Sequence, residues 1–322
     1  MEPEIVFNVQ HGPFWDWRVA VDLFLGGAGV GAILFAILID EIFQGRYRRI
    51  CQTAAWLSPI LVLGGLLFLL LKIGRPFRLP LVYVNFNFDS PLWWGSVFQP
   101  LLLVLSIWYA LMWNRSQQTS NPVAPHRGRR ILGRVLAPLA VIVGGYHGLL
   151  LAVIAARPLW NNGPTVVSAM LGFAATGIAA VMLVHLLRMR IAGRLADEEH
   201  LARFLDDMRC VRNTLVGVLV LQLGTFFLWW LSLAYGPLQA DAALAAANEV
   251  YGPLFWWGGI GVGLIFPLLV GAFGLLRRAA QNRHIEVALI TVTSATILAG
   301  GFAFRLAVVL GGQLEIPMSG IF

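Results

Sequence analysis

Eight long apolar runs, separated by short polar stretches, set the pattern of this chain. They cover approximately residues 18–40, 53–72, 92–113, 132–155, 164–187, 213–235, 253–276 and 287–310. Each is about the 20 residues that a helix needs to cross a bilayer. The pattern predicts an all-α integral membrane protein with eight transmembrane helices. The stretches between the runs alternate in charge. Segments 41–52, 114–134, 188–212 and 277–286 hold 17 of the 23 Lys and Arg residues. The positive-inside rule puts these segments in the cytoplasm. Both termini then lie on the opposite face, the periplasmic side of a bacterial inner membrane. Segment 188–212 reads as the one sizeable charged loop, and neither it nor 114–130 is long enough to be a domain.

Composition agrees with that pattern. The chain is 58% hydrophobic and 12% charged, against about 25% charged residues in a soluble domain. The net charge of +7 hints at nucleic acid only until the cations are placed, because they sit in membrane-flanking loops. The first run is not read as a cleaved signal peptide: acids precede it and no small-residue cleavage site follows it. Cys51 and Cys210 lie far apart and form no CxxC pair, so they hold no zinc or iron–sulfur cluster by themselves.

A faint repeat runs through the apolar pattern. Pro91-Leu92-Trp93-Trp94-Gly95 opens the third run and Pro253-Leu254-Phe255-Trp256-Trp257-Gly258 the seventh; Gly144-Gly145-Tyr146 and Gly300-Gly301-Phe302 echo each other in the fourth and eighth. The four-span spacing suggests two four-helix bundles, 1–156 and 157–322, in the same orientation. Chance similarity between glycine-rich helices is the competing explanation.

Few polar groups lie deep in the runs: Asp22, Tyr146, His147, His185 and Arg305. An ionisable residue inside a span is costly and marks a functional-site hypothesis by default. Asp22 follows an aromatic pair, Trp15 and Trp17, placed as an interfacial belt. It precedes Gly26, Gly27, Gly29 and Gly31, which let another helix come close. Tyr146 lies eleven residues before Arg157, about 16 Å inward along a straight helix. A tyrosine hydroxyl and a carboxylate suit a quinone headgroup, which needs a donor at a carbonyl oxygen and a proton source. Tyr146 reads equally as a core tyrosine bonded to a backbone carbonyl. His147 and His185 differ in depth, so they do not form a haem b pair. Without haem or cluster motif, electrons would come from a bound quinone and leave through a partner. Arg18, Lys72, Arg75, Arg78, Arg157 and Arg305 oppose the charge trend. Lipid-phosphate anchoring and helix capping are the plain explanations for these six.

The opening stretch, the Gly74-Arg75-Pro76 loop, Ser90-Pro91-Leu92-Trp93-Trp94-Gly95-Ser96, Gly145-Tyr146 followed by Arg157-Pro158-Leu159-Trp160-Asn161, and Gly301-Phe302-Ala303-Phe304-Arg305 resemble the NrfD / polysulfide reductase membrane-subunit family. The resemblance covers all eight spans. It implies an eight-helix subunit that binds menaquinone or ubiquinone and holds neither haem nor cluster. It further implies a ferredoxin-like iron–sulfur partner serving a catalytic subunit, often a molybdopterin enzyme. Tyr146 matches a family tyrosine that borders the quinone, and Asp22 falls where the polysulfide reductase subunit has a histidine. The expected quinone site comprises Trp17, Arg18, Asp22, Gly26, Arg75, Tyr146 and His147, with Asp22 and Tyr146 carrying the proton chemistry and His147 behind them. The expected partner-docking residues are Arg75, Arg78, Trp93, Arg157 and Trp160, and no metal site is expected. The alternative is a secondary transporter or proton-translocating subunit, which a buried carboxylate and a duplicated fold would also allow. The parallel echo argues against the inverted repeats usual in transporters.

Overall fold

The computed structural model describes residues 14–74, 77, 80–115, 127–276 and 283–314. Arg75 and Arg78 lie outside the described residues. The helices are α1 (Trp17–Phe43), α2 (Arg48–Ile73), the short α3 (Pro80–Val84), α4 (Pro91–Arg115), α5 (Arg127–Ala152), α6 (Thr165–Ile191), α7 (Glu198–Ala234), α8 (Leu238–Gly252), α9 (Phe266–Leu276) and α10 (Arg283–Gly311). A π-helical segment, Pro253–Ile265, joins α8 to α9, so Leu238–Phe273 forms one continuous span. The protein is a multi-pass integral membrane protein, with eight spans among the described residues.

Local sequence sets the boundaries. Asp16 caps α1, its Oδ1 accepting from the Arg18 amide at 2.9 Å. Gln44 and Gly45 end that helix with positive φ, and Gly74 ends α2 in the same left-handed region. Two expected boundaries differ. The charged stretch before Arg212 is not a loop: α7 begins at Glu198, helped by an Arg203–Glu199 pair one turn apart. Pro253 does not open a span either. It lies inside a continuous helix and marks the change to π register, because it has no N–H to give to the preceding turn.

The two most buried spans are α1 and α6. α1 packs on α2, α5, α6 and α10, and α6 on α1, α5, α7 and α10. Glycine makes the α1–α6 contact possible: a Cβ at Gly31 would fall 2.1 Å from the Phe173 carbonyl oxygen, and one at Gly177 2.5 Å from the Ala32 amide nitrogen. The outer helices turn residues such as Leu67, Val104, Trp108, Leu221 and Phe227 outward, as a surface solvated by acyl chains requires.

The arginine-rich face is held by ion pairs. Buried Asp40 accepts from Arg129 at both oxygens, at 2.7 and 3.0 Å, and the Arg129 guanidinium lies 3.7 Å from the Trp113 ring centroid. Beside it, Glu41 accepts from Arg130 and Arg134. At the arginine-poor face, Trp15 donates its amide to Gln313 Oε1 and accepts from Gln313 Nε2, both at 2.7 Å.

Candidate functional site

Asp22 lies five residues past the start of α1, about 7.5 Å inward from the arginine-poor end. It is 2% exposed, and its Oδ1 has no hydrogen-bond partner. Gly26, one turn on, shares that face. A Cβ at Gly26 would be 3.0 Å from His147 Nε2 and 3.4 Å from Gln99 Nε2, so α4 and α5 both reach α1 there. Across the gap, a Cβ on Gly65 of α2 would press on Asp22 Oδ1 at 2.8 Å. With no side chains at these two glycines, α2, α4 and α5 close directly on the carboxyl. His147 and Gln99 are the polar side chains that act on it most strongly.

His147 has its tautomer set by the helix. Nδ1 lies 2.7 Å from the Val143 carbonyl oxygen, an acceptor, so Nδ1 carries the hydrogen and Nε2 is free to accept or take up a proton. That Nε2 is buried and unpartnered, as is Gln99 Nε2. Three buried polar atoms without a hydrogen-bond partner, a carboxyl oxygen, an imidazole nitrogen and an amide nitrogen, therefore lie together around Gly26 and Gly65. Nearly all buried polar groups in proteins are paired, so three orphans together call for a ligand or water. Tyr146, next on α5, points towards α4: a Cβ at Gly95 would fall 1.9 Å from its Cζ. Its ring stands edge-on to His147 at 5.3 Å, and Asp22 lies within electrostatic reach of it. The arrangement brings a hydroxyl donor, an amide donor and two proton acceptors close to one another.

Residues 6–317 match the family described as Polysulphide reductase, NrfD. The chain belongs to this family. Its relatives include the Protein NrfD homolog of Haemophilus influenzae, 27% identical over 94% of this chain and 95% of that protein. A polysulfide reductase polypeptide of Wolinella succinogenes is 25% identical over 93% of this chain and 94% of that protein. A selenate reductase subunit from Mesobacillus selenatarsenatis is 24% identical over 80% of this chain and 66% of that protein. The resemblance read from the sequence motifs is thus the family of the whole chain.

Within this NrfD-family fold, the expected site residues separate into groups. Asp22, Gly26, Tyr146 and His147 come together. His147 is part of the cluster itself, not a support behind it, because α1 and α4 approach α5 from different sides. Trp17 and Arg18 lie a turn outside it: Trp17 packs edge-on against Phe68 at 5.9 Å, and Arg18 donates to the Leu71 carbonyl. Tyr146 is nearer the arginine-poor face than a straight helix to Arg157 would place it, since α5 stops at Ala152 and turns follow. Gln99 joins the cluster without having been expected there. The available signal is a lone amide inside the third apolar run, directly before Pro100.

Among the docking residues, Trp93 joins an aromatic cluster with Phe86, Phe88 and Trp94. Arg157 donates to the Gln313 and Leu314 carbonyls past the end of α10. Trp160 is 3% exposed, stacks on Trp15 at 5.1 Å and donates to the Val308 carbonyl at 2.7 Å, which ties it to the interior. His185 lies near the arginine-rich end of α6 with Nδ1 3.1 Å from Thr53 Oγ1, far in depth from His147.

Proposed function

We propose that this chain is the quinone-binding membrane subunit of a respiratory oxidoreductase complex. It passes electrons between a menaquinone or ubiquinone pool and a ferredoxin-like iron–sulfur subunit that serves a molybdopterin catalytic subunit. The observation that carries the reading is the trio of unpartnered buried polar atoms on Asp22, Gln99 and His147 around Gly26 and Gly65. The names of the polysulfide and selenate reductase relatives support the type of complex. The ring, when bound, supplies two-electron chemistry coupled to two protons. Tyr146 and Gln99 donate hydrogen bonds to its oxygens and fix its orientation. Asp22 gives up or takes the proton, and His147 Nε2 is its neighbour in that exchange. With Nδ1 tied to Val143, His147 exchanges protons at one nitrogen and does not pass them through its ring.

On this reading the first four-helix bundle, residues 1–156, holds the quinone site and 157–322 forms the second. The chain lies in the bacterial inner membrane with both termini and the quinone site on the periplasmic side. The exposed aromatic surface around Trp93, with Phe86 and Phe88, docks the iron–sulfur partner, and Arg157 adds to it from the same side of the membrane. Arg75 and Arg78 belong to the same proposed surface, whereas buried Trp160 supports it from within.

The test is turnover of the assembled complex. Tyr146→Phe and Asp22→Asn each remove one hydrogen-bonding role worth about 1–3 kcal/mol, roughly 5- to 150-fold in rate. Both should depress quinone-linked turnover and spare reaction of the catalytic subunit with a soluble dye. If both variants assemble and turn over quinone at the wild-type rate, the site lies elsewhere. A periplasm-active reporter fused at Phe322 should be active, and activity of a cytoplasm-only reporter there would overturn the topology.

A further inference from the structure

Beside His147 lies a chamber of about 90 Å³, bounded by α1, α5, α6, α7, the π-helical segment and α10. That is smaller than the roughly 150 Å³ cavity that holds a benzene ring, but it has room for about six waters. It is too small for a quinone ring. What the chamber does contain is Arg305, 9% exposed. Arg305 Nη1 donates to the Gly301 carbonyl at 2.7 Å and Nη2 to Thr176 Oγ1 at 3.2 Å. Its guanidinium sits over Phe173 and Phe24, at 4.9 and 5.4 Å. Among the described residues it has no carboxylate partner. Arg129, in contrast, has Asp40. Two hydrogen bonds leave three of the five guanidinium N–H groups uncommitted, and an uncompensated buried charge is costly.

A second unsatisfied group faces the same space. Gln222 Oε1 is buried without a partner, while Nε2 donates to Ser168 Oγ at 3.3 Å. Amide oxygen and nitrogen are assigned by their surroundings. Turned over, Gln222 accepts the Ser168 hydroxyl and presents its NH₂ to the chamber. Both groups converge on Gly172, where a Cβ would lie 3.6 Å from Arg305 Nη2 and 3.7 and 3.8 Å from the Gln222 amide atoms. The bordering wall is π-helical at Gly259 and Gly263, a rare conformation frequent at functional sites.

We propose that the Arg305 chamber binds one small, weakly hydrated monoanion, such as iodide or thiocyanate, between Arg305 and the Gln222 amide. The cation selects the charge. The apolar walls select against strongly hydrated anions, whose lost water they do not replace. A monoanion neutralises Arg305 and leaves space for a few waters. The site stands apart from the quinone reading, since no group of the Asp22 cluster other than His147 borders it.

The test uses the full chain in lipid nanodiscs, titrated calorimetrically with iodide, thiocyanate and sulfate, and crystals of the full chain soaked in iodide. Wild type should bind iodide and thiocyanate at least about tenfold more tightly than sulfate, with an anomalous peak beside Arg305. Arg305→Gln should abolish the peak and weaken iodide at least tenfold. Gly172→Leu, which fills the space beside both groups, should do the same, and Arg305→Lys should keep the preference for the weakly hydrated anions. Asp22→Asn should leave iodide binding unchanged. If Arg305→Gln does not fold, Gly172→Leu and Arg305→Lys decide the matter. No iodide peak in wild type, equal affinity for sulfate, or iodide binding that survives Gly172→Leu overturns the proposal. Binding lost in Asp22→Asn would move the anion to the other site and also overturn it.

Discussion

Asp22 and Asp40 lie on the same helix, about 27 Å apart along its axis, and both are almost completely buried. Their surroundings differ in kind. Asp40 is gripped at both oxygens by Arg129, which in turn lies on Trp113. Both oxygens of that carboxylate are engaged by a paired cation inside the protein. Asp22 has an unpartnered oxygen, no arginine or lysine paired with it among the described residues, and two further orphan atoms beside it where glycines let the helices close together. A closed pair stabilises a helix junction; an open cluster is set up for exchange. Burial alone does not distinguish structure from function along α1, whereas the state of the partners does.

The comparison is easiest to break at the closed end. Arg129→Ala leaves Asp40 buried and unpaired and should cost about 3–5 kcal/mol. Thermal unfolding of the detergent-solubilised protein measures the loss, and near-wild-type stability would mean the pair is not structural. The next largest effect belongs to Gly95→Ala, whose Cβ would occupy the place of the Tyr146 ring. Displacing that ring should cost about 1–3 kcal/mol, seen as at least fivefold lower quinone-linked turnover in complexes that still assemble. Asp22→Asn should sharpen the contrast, changing stability by less than about 1 kcal/mol because no ion pair is lost, while turnover falls. A stability loss as large as that of Arg129→Ala would show that Asp22 is paired after all. Smallest is Gln99→Leu, which removes an orphan donor. Turnover should fall less than about tenfold, with melting temperature equal to wild type or higher.

The spans are legible because each apolar run is long enough to admit only one reading, and the charge alternation between them is strong. Asp22, Gly26, Tyr146 and His147 are legible for the related reason that polar groups are rare in those runs. Less legible is anything set by contact between distant segments. The Asp40–Arg129 pair joins residues 89 apart, and nothing local distinguishes Arg129 from the neighbouring loop arginines. Gln99 carries no charge and so draws no attention, although α4 brings it to Gly26. The stretch 198–212 reads as a loop because seven of its fifteen residues are charged; helix α7 uses Phe204, Leu205 and Met208 of that stretch as a buried stripe. Trp160 reads as an exposed anchor because aromatic residues near a membrane face often are, and its bond to the Val308 carbonyl depends on where α10 ends.

The clasp between Trp15 and Gln313 joins residues 298 apart. Synthesis runs from one to the other, so this contact is among the last that the growing polypeptide makes. For most of that time α1 stands in the bilayer with Asp22 before Gln99 and His147 have arrived, and with the face that α10 will cover still open to lipid. Assembly is therefore vectorial, and the clasp is a completion mark. A product cut short before α10 retains the Asp22 cluster and lacks the fastening at its mouth, a state that membrane quality-control proteases could tell apart from the finished subunit.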